Sequence, residues 1–370
     1  MSDSAGVDRR GAWRAALAGM VALAVAMGLG RFAFTPALPL MLQEGQLDLQ
    51  GAGLLASLNY LGYFVGALSC AAIHARPSSM VRLGLASTAA LLLGMGLLHG
   101  FGIWGLLRTA AGVMSAWTFL FAWGWCLPRL AETGPPKLAG WIFAGPGVGI
   151  LLAGLLGNLT GRWGADGTWI GYGLGAAMLS MLIWRVFDDG SHDDAPEATA
   201  RSAAQGSLGA ADASGAGWPV GLYGLAGFGY IITATFLPVI ARQALPGSAW
   251  PDLFWPLFGL AVVPGAILGA RLPLHWDNRL MLAGGYAMQA VGVLLSVAWP
   301  TVPGFALGSV LLGLPFTAIT LFAVRDARRL RGNAAAGLIG LATASYGVGQ
   351  IVGARVSAPQ AWEPAPARER

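Results

Sequence analysis

Two arginines stand inside long apolar stretches of this sequence. Arg31 lies in GLGRFAFTPALP, after an unbroken run of small and apolar residues from Ala15 to Gly30, and Arg108 lies in a second apolar stretch. An arginine in apolar surroundings, with no carboxylate beside it, can hold an anion through its planar fork of N–H donors. The alternative is a side chain that runs along apolar surface until its charged head reaches water.

Further polar residues follow helical spacing. Asn59 and Tyr63 are four residues apart, as are Tyr346 and Gln350, so that each pair shares one face of a helix. Each of these residues could instead bond a neighbouring helix in a purely structural role. We predict the following substrate-binding candidates: Arg31, Thr35, Asn59, Tyr63, Arg108, Tyr230, Tyr346 and Gln350.

The sequence offers no catalytic, metal or cofactor motif. The four histidines occur singly, and no Ser-His-Asp set is suggested. Cys70 and Cys126 lack CxxC spacing, so they predict neither a disulfide framework nor a metal site. We expect no cofactor, no metal and no enzymatic activity.

The composition indicates what must position these residues. The 370 residues are 56% hydrophobic and 11% charged, against about 25% charged in a soluble domain. Glycines are scattered through the apolar runs, as where helices pack closely in lipid. The chain is predicted to be a multi-pass, all-α protein of the lipid bilayer. Its basic residues are scattered singly at segment ends, so nucleic acid is excluded as a partner.

Eleven segments are long enough and apolar enough to cross a membrane. They are numbered here as spans 1 to 11 and lie near 13–40, 51–73, 80–99, 102–128, 137–160, 167–187, 218–241, 252–271, 279–299, 302–324 and 334–356. Most Lys and Arg residues of the short loops fall on one side, called here the basic side, and cytoplasmic loops carry this excess. The N-terminus is therefore predicted to be cytoplasmic, and eleven spans place the C-terminus outside.

A polar stretch divides the spans. Residues 188–217 are rich in Asp, Ala, Ser and Gly and cannot bury enough apolar surface to fold, so we expect a disordered cytoplasmic linker. The predicted organisation is a six-helix bundle over 1–187, the linker 188–217, a five-helix bundle over 218–357 and a polar tail over 358–370.

The two bundles carry traces of one repeat. Gly30-Arg31 falls on Gly229-Tyr230 at an offset of 199, and Leu38-Pro39 falls on Leu237-Pro238 at the same offset. Gly147-Val148-Gly149 falls on Gly347-Val348-Gly349 at an offset of 200. Six spans lie between the partners, so both copies cross the membrane in the same direction. Such a parallel repeat is typical of transporters that rock about a site near the membrane midplane.

Several motifs also resemble one branch of a known family. GLGRFAFTPALPLM, SLNYLGYFVGA, LRTAAGVMSAW, FAGPGVGI, GFGYIITATFLP, WPLFGL, DARRL and ASYGVGQIVG resemble the YbfB/YjiJ-type branch of the major facilitator superfamily (MFS). The resemblance implies an MFS-type fold and secondary transport, with spans 1, 2, 4, 5, 7, 8, 10 and 11 around the cavity. It also implies a twelfth span, whereas the stretch after Ser357, APQAWEPAPARER, is too short and too polar to cross.

The leading hypothesis is a secondary transporter of the cell inner membrane, monomeric, that moves a small organic solute by alternating access. Two unneutralised arginines in cavity spans favour an anionic solute. Two alternatives stay open at this stage: a truncated, inactive or structural member of the same family, suggested by the missing span, and an integral-membrane enzyme.

Overall fold

The computed structural model describes residues 2–133, 138–188, 217–273, 275–331 and 335–360. Within these ranges the chain is helical and contains no strand. The predicted linker, apart from its end residues 188 and 217, and residues 361–370 of the predicted tail lie outside the described residues. The last helix ends at Gln360, so it extends into the start of the predicted tail.

Each predicted span corresponds to described helix. Span 1 consists of α1 (Ser2–Leu23), a π-helical turn (Ala24–Leu29), α2 (Gly30–Phe32) and α3 (Phe34–Gln43). Spans 2 to 6 are α4 (Leu49–Ser69), α5 (Pro77–Leu97), α6 (Phe101–Thr133), α7 (Ala139–Thr160) and α8 (Gly164–Ile183). Spans 7 to 9 are α9 (Gly217–Ala244), α10 (Pro251–Arg271) and α11 (Asn278–Ala298). Span 10 contains α12 (Val302–Gly313) and α13 (Phe316–Arg331), and span 11 is α14 (Ala335–Gln360).

Nine apolar helical segments in the described part of the chain are long enough to cross a membrane. One of them, Ala139–Phe187, is 49 residues long and contains spans 5 and 6. These two helices turn back on each other at Gly164, whose φ of +75° lies in the region that favours glycine. Thr160 then packs on Gly171, and Leu156 packs on Gly175. Span 11 is a further helix beyond those nine segments.

Span 10 differs from its sequence prediction. We predicted one helix over 302–324, but the helix ends at Gly313 and a new one begins at Phe316. Pro315 stands between them, and proline has no N–H with which to continue the helical hydrogen-bond ladder. Thr301 caps the first part, because its hydroxyl oxygen accepts a hydrogen bond from the Gly304 N–H at 3.4 Å.

The repeat is visible in how the helices pack. Span 1 lies on span 5 where Gly149 meets the backbone of Ala24 and Gly28, and span 7 lies on span 11 where Gly349 meets that of Gly224 and Phe228. A Cβ at either Gly149 or Gly349 would overlap that backbone. The two contacts are related by an offset of 200 residues, as in the sequence repeat at Gly147 and Gly347.

A second pair of contacts follows the same rule. Gly112 of span 4 packs on the backbone of Asn59 in span 2, and Gly313 of span 10 packs on the backbone of Phe258 in span 8. The offsets between these contacts are 199 and 201 residues. The first and second halves of the chain therefore build the same helix pairs at the same glycines.

The two halves meet along two antiparallel helix pairs. Span 2 runs against span 11, where the Ser57 hydroxyl donates a hydrogen bond to the Ile351 carbonyl at 3.0 Å. Span 5 runs against span 8, where Gly154 packs on Pro256. Spans 1 and 7 lie between these pairs, so their irregular and polar segments face the space where the halves meet.

Candidate functional site

The site is built on an irregular stretch of span 1. A π-helical turn covers Ala24–Leu29, and the regular helix breaks again at Ala33. Pro36 lacks the N–H that would bond the Phe32 carbonyl, which explains the second break. A single π-turn inside an α-helix is frequent at functional sites. Arg31 lies between the two irregularities.

Arg31 connects the two halves through hydrogen bonds. Its side chain is 5% exposed, and its Nη2 donates a hydrogen bond to Gln350 Oε1 at 2.6 Å. Gln350 Nε2 in turn donates to the Tyr230 hydroxyl oxygen, also at 2.6 Å. One continuous chain of hydrogen bonds therefore joins span 1 to spans 11 and 7.

The positive charge of Arg31 meets aromatic faces and no described carboxylate. Its Cζ lies 4.1 Å from the ring centroid of Tyr63 and 5.1 Å from that of Tyr60. Both distances are within the range of cation–π attraction. Its Nε has no hydrogen-bond partner among the described residues, and no ion pair described in the chain includes it.

Arg108 is also buried, at 2% exposure, but it has a different set of contacts. Its Nη1 and Nη2 donate hydrogen bonds to the carbonyls of Gly30 and Arg31, at 3.4 and 3.1 Å. Asn59 Nδ2 donates to the Arg108 carbonyl at 2.8 Å. Arg108 therefore holds the backbone of span 1 at the irregular stretch, while Asn59 joins span 2 to the main chain of span 4. Both arginine side chains are buried within the protein. This differs from the alternative in which both side chains extend to water.

Thr35 marks the axis between the halves. Its hydroxyl donates a hydrogen bond to the Ala234 carbonyl at 2.9 Å. Ala234 is the residue 199 positions after Thr35, which makes it the repeat counterpart of Thr35. Two equivalent positions can touch only near the axis that relates them. Arg31 and its counterpart Tyr230, linked through Gln350, lie one turn away, so the site is centred on this axis.

Tyr346 completes the predicted set. Its ring stacks on Tyr230, with centroids 5.8 Å apart and planes 16° apart, and lies 4.7 Å from the ring of Tyr223. The structure thus brings Tyr63, Gln350, Tyr230 and Tyr346 together around Arg31. Thr35 lies one turn along span 1, and Arg108, whose carbonyl accepts a hydrogen bond from Asn59, holds the span 1 backbone.

The aromatic residues that surround this network were not predicted from the sequence. Phe32 faces Phe316 at 5.8 Å and Trp255 at 6.4 Å between ring centroids, and Tyr230 faces Phe316 at 5.2 Å. The motif WPLFGL was the available signal for Trp255. Aromatic residues at helical spacing are as common in an ordinary core, so the pattern does not separate the two roles.

Contacts between the halves close the site on both sides. On the basic side, Phe143 and Ala144 of span 5 pack with Ala266 of span 8. On the opposite side, Thr35 bonds Ala234, and the Tyr60 hydroxyl lies 3.5 Å from that of Thr235. Arg31 is therefore enclosed in the described conformation.

A cavity of about 500 Å³ opens on the side opposite to the basic one, between spans 1, 5, 7 and 8. Its lining includes Asn158, Arg242 and Asp252, and the latter two form an ion pair at 2.6 Å. Its floor includes Trp255, whose ring lies against Phe32, the neighbour of Arg31. Two aromatic rings thus separate the cavity from the buried arginine.

Comparison with known proteins agrees with this architecture. The crystal structure of the nucleoside transporter NupG aligns with a TM-score of 0.68 at 13% sequence identity, over 94% of this chain and 91% of NupG. At that identity the likeness concerns the fold alone. No curated protein sequence matches the chain. Residues 23–362 match the family described as "Uncharacterised MFS-type transporter YbfB". The chain therefore belongs to this family of membrane transporters within the major facilitator superfamily.

Proposed function

We propose that the protein is a secondary transporter that binds a small organic solute through an anionic group on Arg31 and moves it by alternating access. The observation that carries this proposal is the buried, unneutralised guanidinium of Arg31 on the axis between the halves. Among the described residues its charge meets an amide oxygen and aromatic faces but no carboxylate, and a charge inside the bilayer costs several kcal/mol. A carboxylate or phosphate on the solute would supply the missing partner.

The hydrogen-bond chain suggests how binding could couple to movement. Arg31 belongs to the first half, and its acceptor Gln350 belongs to the second half. An anion that takes the Arg31 fork competes with Gln350 Oε1 and so weakens a bond that joins the halves. The solute thereby alters the relative stability of closed and open arrangements, as a ligand must in order to shift a conformational equilibrium.

The remaining expectations concern placement in the cell. We propose the cell inner membrane, with the N-terminus in the cytoplasm and the C-terminus outside, and a monomeric protein of two bundles, 1–187 and 218–357, joined by a cytoplasmic linker. The excess of arginine on the basic side supports this orientation. The cavity near Arg242 and Asp252 then faces the outside, and it provides an entry route toward Trp255.

Transport by the purified protein in proteoliposomes tests this function. Vesicles preloaded with single organic acids, amines or neutral solutes would be assayed by counterflow of the same labelled compound. We expect counterflow with one or more anions and a ten- to hundred-fold weaker apparent affinity in Arg31→Gln, because a charge-assisted bond contributes about 1.5–3 kcal/mol. Arg31→Lys should recover part of this loss, since lysine keeps the charge but lacks the planar fork.

Arg162→Gln is the matched control. Arg162 is exposed, and its Cζ lies 4.5 Å from the ring centroid of Trp163, away from the site. Its replacement should leave the affinity for the anion unchanged. Counterflow of amines or neutral solutes that is insensitive to Arg31→Gln would contradict the proposed anionic substrate. A folded protein without any flux would favour the inactive or structural alternative.

A further inference from the structure

The cavity between spans 1, 5, 7 and 8, called here the outer cavity, has the features of a binding site as well as of a passage. Its volume of about 500 Å³ is within the range of small-molecule sites. The lining residues used below are Gln43, Arg242, Asp252 and Trp255. Gln43 and Arg242 are repeat counterparts at the offset of 199, so the outer cavity surrounds the same axis as the Arg31 site.

An unpartnered donor lies at the floor of the outer cavity. Trp255 is 1% exposed, and its Nε1 has no hydrogen-bond partner among the described residues. A buried N–H without an acceptor is costly, because it has lost its hydrogen bonds to water. An oxygen acceptor on a bound molecule would supply the missing bond.

The ion pair on the wall of the outer cavity can exchange its partner. Arg242 Nε and Nη2 both donate to Asp252 Oδ1, at 3.2 and 2.6 Å, so the described contacts do not pair the fork with both carboxylate oxygens. The two side chains are 29% and 37% exposed, and an ion pair that keeps contact with water adds little to stability. A carboxylate from solution can therefore replace Asp252 on Arg242 at small cost.

The arginine and the indole lie close enough to serve one small anion. Asp252 and Trp255 are three residues apart on α10, so they share one face of this helix and are separated by about 4.5 Å along its axis. Arg242 is bonded to Asp252 and lies at the same face. Trp255 in turn faces Phe32, the neighbour of Arg31, at 6.4 Å between ring centroids. These residues form a line from the outer cavity to Arg31.

The charged pair is not required by the packing that the two halves repeat. At the offset of 199 that relates Asn59 to Phe258, the counterpart of Asp252 is Gly53, and the counterpart of Arg242 is Gln43. Spans 1 and 2 are thus built without an ion pair at these positions. The pair in the second half therefore has a role beyond packing.

We infer that the outer cavity is a second anion site, in which Arg242 and the Trp255 N–H hold a carboxylate of the solute before it reaches Arg31. The inference rests on the proposed function in one respect, the negative charge of the solute. The carboxylate takes the place of Asp252 on Arg242, and Asp252 competes with it. This competition keeps the outer site weaker than Arg31, so that the solute can move inward.

Protection of a cysteine at position 43 tests the inference, with benzoate as the carboxylate probe. Gln43 is an exposed lining residue, whereas the two native cysteines are buried. Full-length protein with Gln43→Cys, alone and combined with Arg31→Gln, would be modified by N-ethylmaleimide in proteoliposomes at constant ionic strength. The measured quantity is the half-protecting concentration of benzoate, which does not depend on the intrinsic reactivity of the thiol. Benzyl alcohol, similar in size but uncharged, should not protect.

Two substitutions should shift the half-protecting concentration in opposite directions. Arg242→Gln removes the charge and should raise this concentration about ten-fold, the lower end for a charge-assisted bond, because the site is partly exposed. Asp252→Asn removes the competitor, keeps the carbonyl that accepts from Asn158 Nδ2, and should lower the concentration about two- to five-fold. Trp255→Phe keeps a ring but loses the N–H, and should raise it about two- to ten-fold. Arg162→Gln is the control and should leave it unchanged.

The Arg31→Gln background separates this site from the proposed function. Protection that persists there assigns the bound benzoate to the outer cavity. Protection without counterflow of any anion would support the outer site and contradict the transport function. The inference would be overturned by no protection, by equal protection with benzyl alcohol, or by protection that appears only while Arg31 is intact. Protection unchanged by both Arg242→Gln and Trp255→Phe would overturn it as well. If Arg242→Gln does not fold, Asp252→Asn decides, since weaker protection in that variant contradicts the role of Asp252 as competitor.

Discussion

The two halves of this transporter share the same helix-packing contacts, called here the shared frame, but differ in the polar residues at their centre. The first half packs span 1 on span 5 through Gly149, and the second half packs span 7 on span 11 through Gly349. At the centre, however, Arg31 of the first half corresponds to Tyr230 of the second. The acceptor Gln350 corresponds to Ile150, which is a fully buried apolar residue.

This difference separates the positions that set the helix packing from the positions of the proposed binding site. Gly149 and Gly349 occupy equivalent helix contacts, as do Gly112 and Gly313, because a side chain at any of them would overlap the neighbouring backbone. Polar residues on the axis are free to differ, and here one half provides the cation while the other provides the hydrogen-bonding partner. The link between Arg31 and Gln350 is therefore a bond between halves, and the proposed alternating-access movement would stretch or break it.

The largest expected effect concerns the shared frame. Gly149→Val and Gly349→Val should each prevent assembly of a folded protein, because the new side chain meets backbone that cannot yield. Overpacking typically lowers the free energy of unfolding by about 1–3 kcal/mol, and we expect about 3 kcal/mol or more here because backbone must move. The measurement is the yield of a monodisperse peak in size-exclusion chromatography. Gly229→Ala is the control, since nothing lies within 4 Å of its added Cβ. If one valine variant folds normally and the other does not, the inference that Gly149 and Gly349 have equivalent roles in packing is wrong.

The substitution Gln350→Glu tests the different roles of the two halves at the centre, where Arg31 of the first half bonds Gln350 of the second. A carboxylate at 2.6 Å from Arg31 Nη2 would neutralise the guanidinium that we propose as the partner of the anionic solute. We expect a ten- to hundred-fold weaker affinity for an anion, with unchanged or higher thermal stability, because a charge-assisted bond replaces a neutral one. The two readouts are counterflow affinity and melting temperature. Gln350→Leu is the comparison: it frees Arg31 without neutralising it and should lower stability instead. Anion transport that is unaffected by Gln350→Glu would place the solute elsewhere.

The substitution Arg108→Ser places in the first half the residue that the second half has at the equivalent position. The counterpart of Arg108 at an offset of 201 is Ser309, whose hydroxyl donates to the Phe305 carbonyl at 2.8 Å. The change removes the donors to the Gly30 and Arg31 carbonyls, and each unsatisfied buried acceptor costs about 1–3 kcal/mol. We expect a lower melting temperature and a smaller loss of solute affinity than in Arg31→Gln. Ser309→Ala should cost less than about 1 kcal/mol. An affinity loss as large as that of Arg31→Gln would mean that Arg108 itself binds solute.

The smallest expected effect lies on the axis. Thr35→Val removes one neutral hydrogen bond to the Ala234 carbonyl while it keeps the shape of the side chain. A bond of this kind contributes about 0.5–1.5 kcal/mol, so the melting temperature should fall slightly. Because this bond joins the halves on the side of the outer cavity, weakening it should favour opening there. Faster modification of a cysteine introduced at exposed Gln43 would report that opening, and Thr35→Ser, which keeps the hydroxyl, is the control.

Much of the fold was readable from the sequence. Long apolar segments and their spacing predicted the helices, since a helix in lipid must satisfy its backbone internally. The offsets of 199 and 200 predicted the parallel repeat, because glycines that allow close approach recur wherever the same helix pair is built twice. The break in span 10 at Pro315 was missed, although the proline itself was visible, because transmembrane helices often continue through proline.

The candidate site was only partly readable. Helical spacing predicted that Tyr346 and Gln350 share a face, and the structure joins both to Tyr230. The different roles of Arg31 and Arg108 were not predictable from depth alone. A π-turn shifts the rotation of every residue that follows it, and which way an arginine points depends on the helix that it meets.

The amino-acid sequence by itself determined that this chain is a helical membrane protein with a parallel repeat and with two arginines inside apolar segments of its first half. Composition, segment length and offset are properties of the linear chain, and the bilayer turns them directly into helices. Tertiary structure alone decided that Arg31 bonds Gln350 across the axis and that Arg108 holds the backbone of span 1. These contacts join residues up to 319 positions apart, and only the packing of helices fixes which side chains meet at such separations.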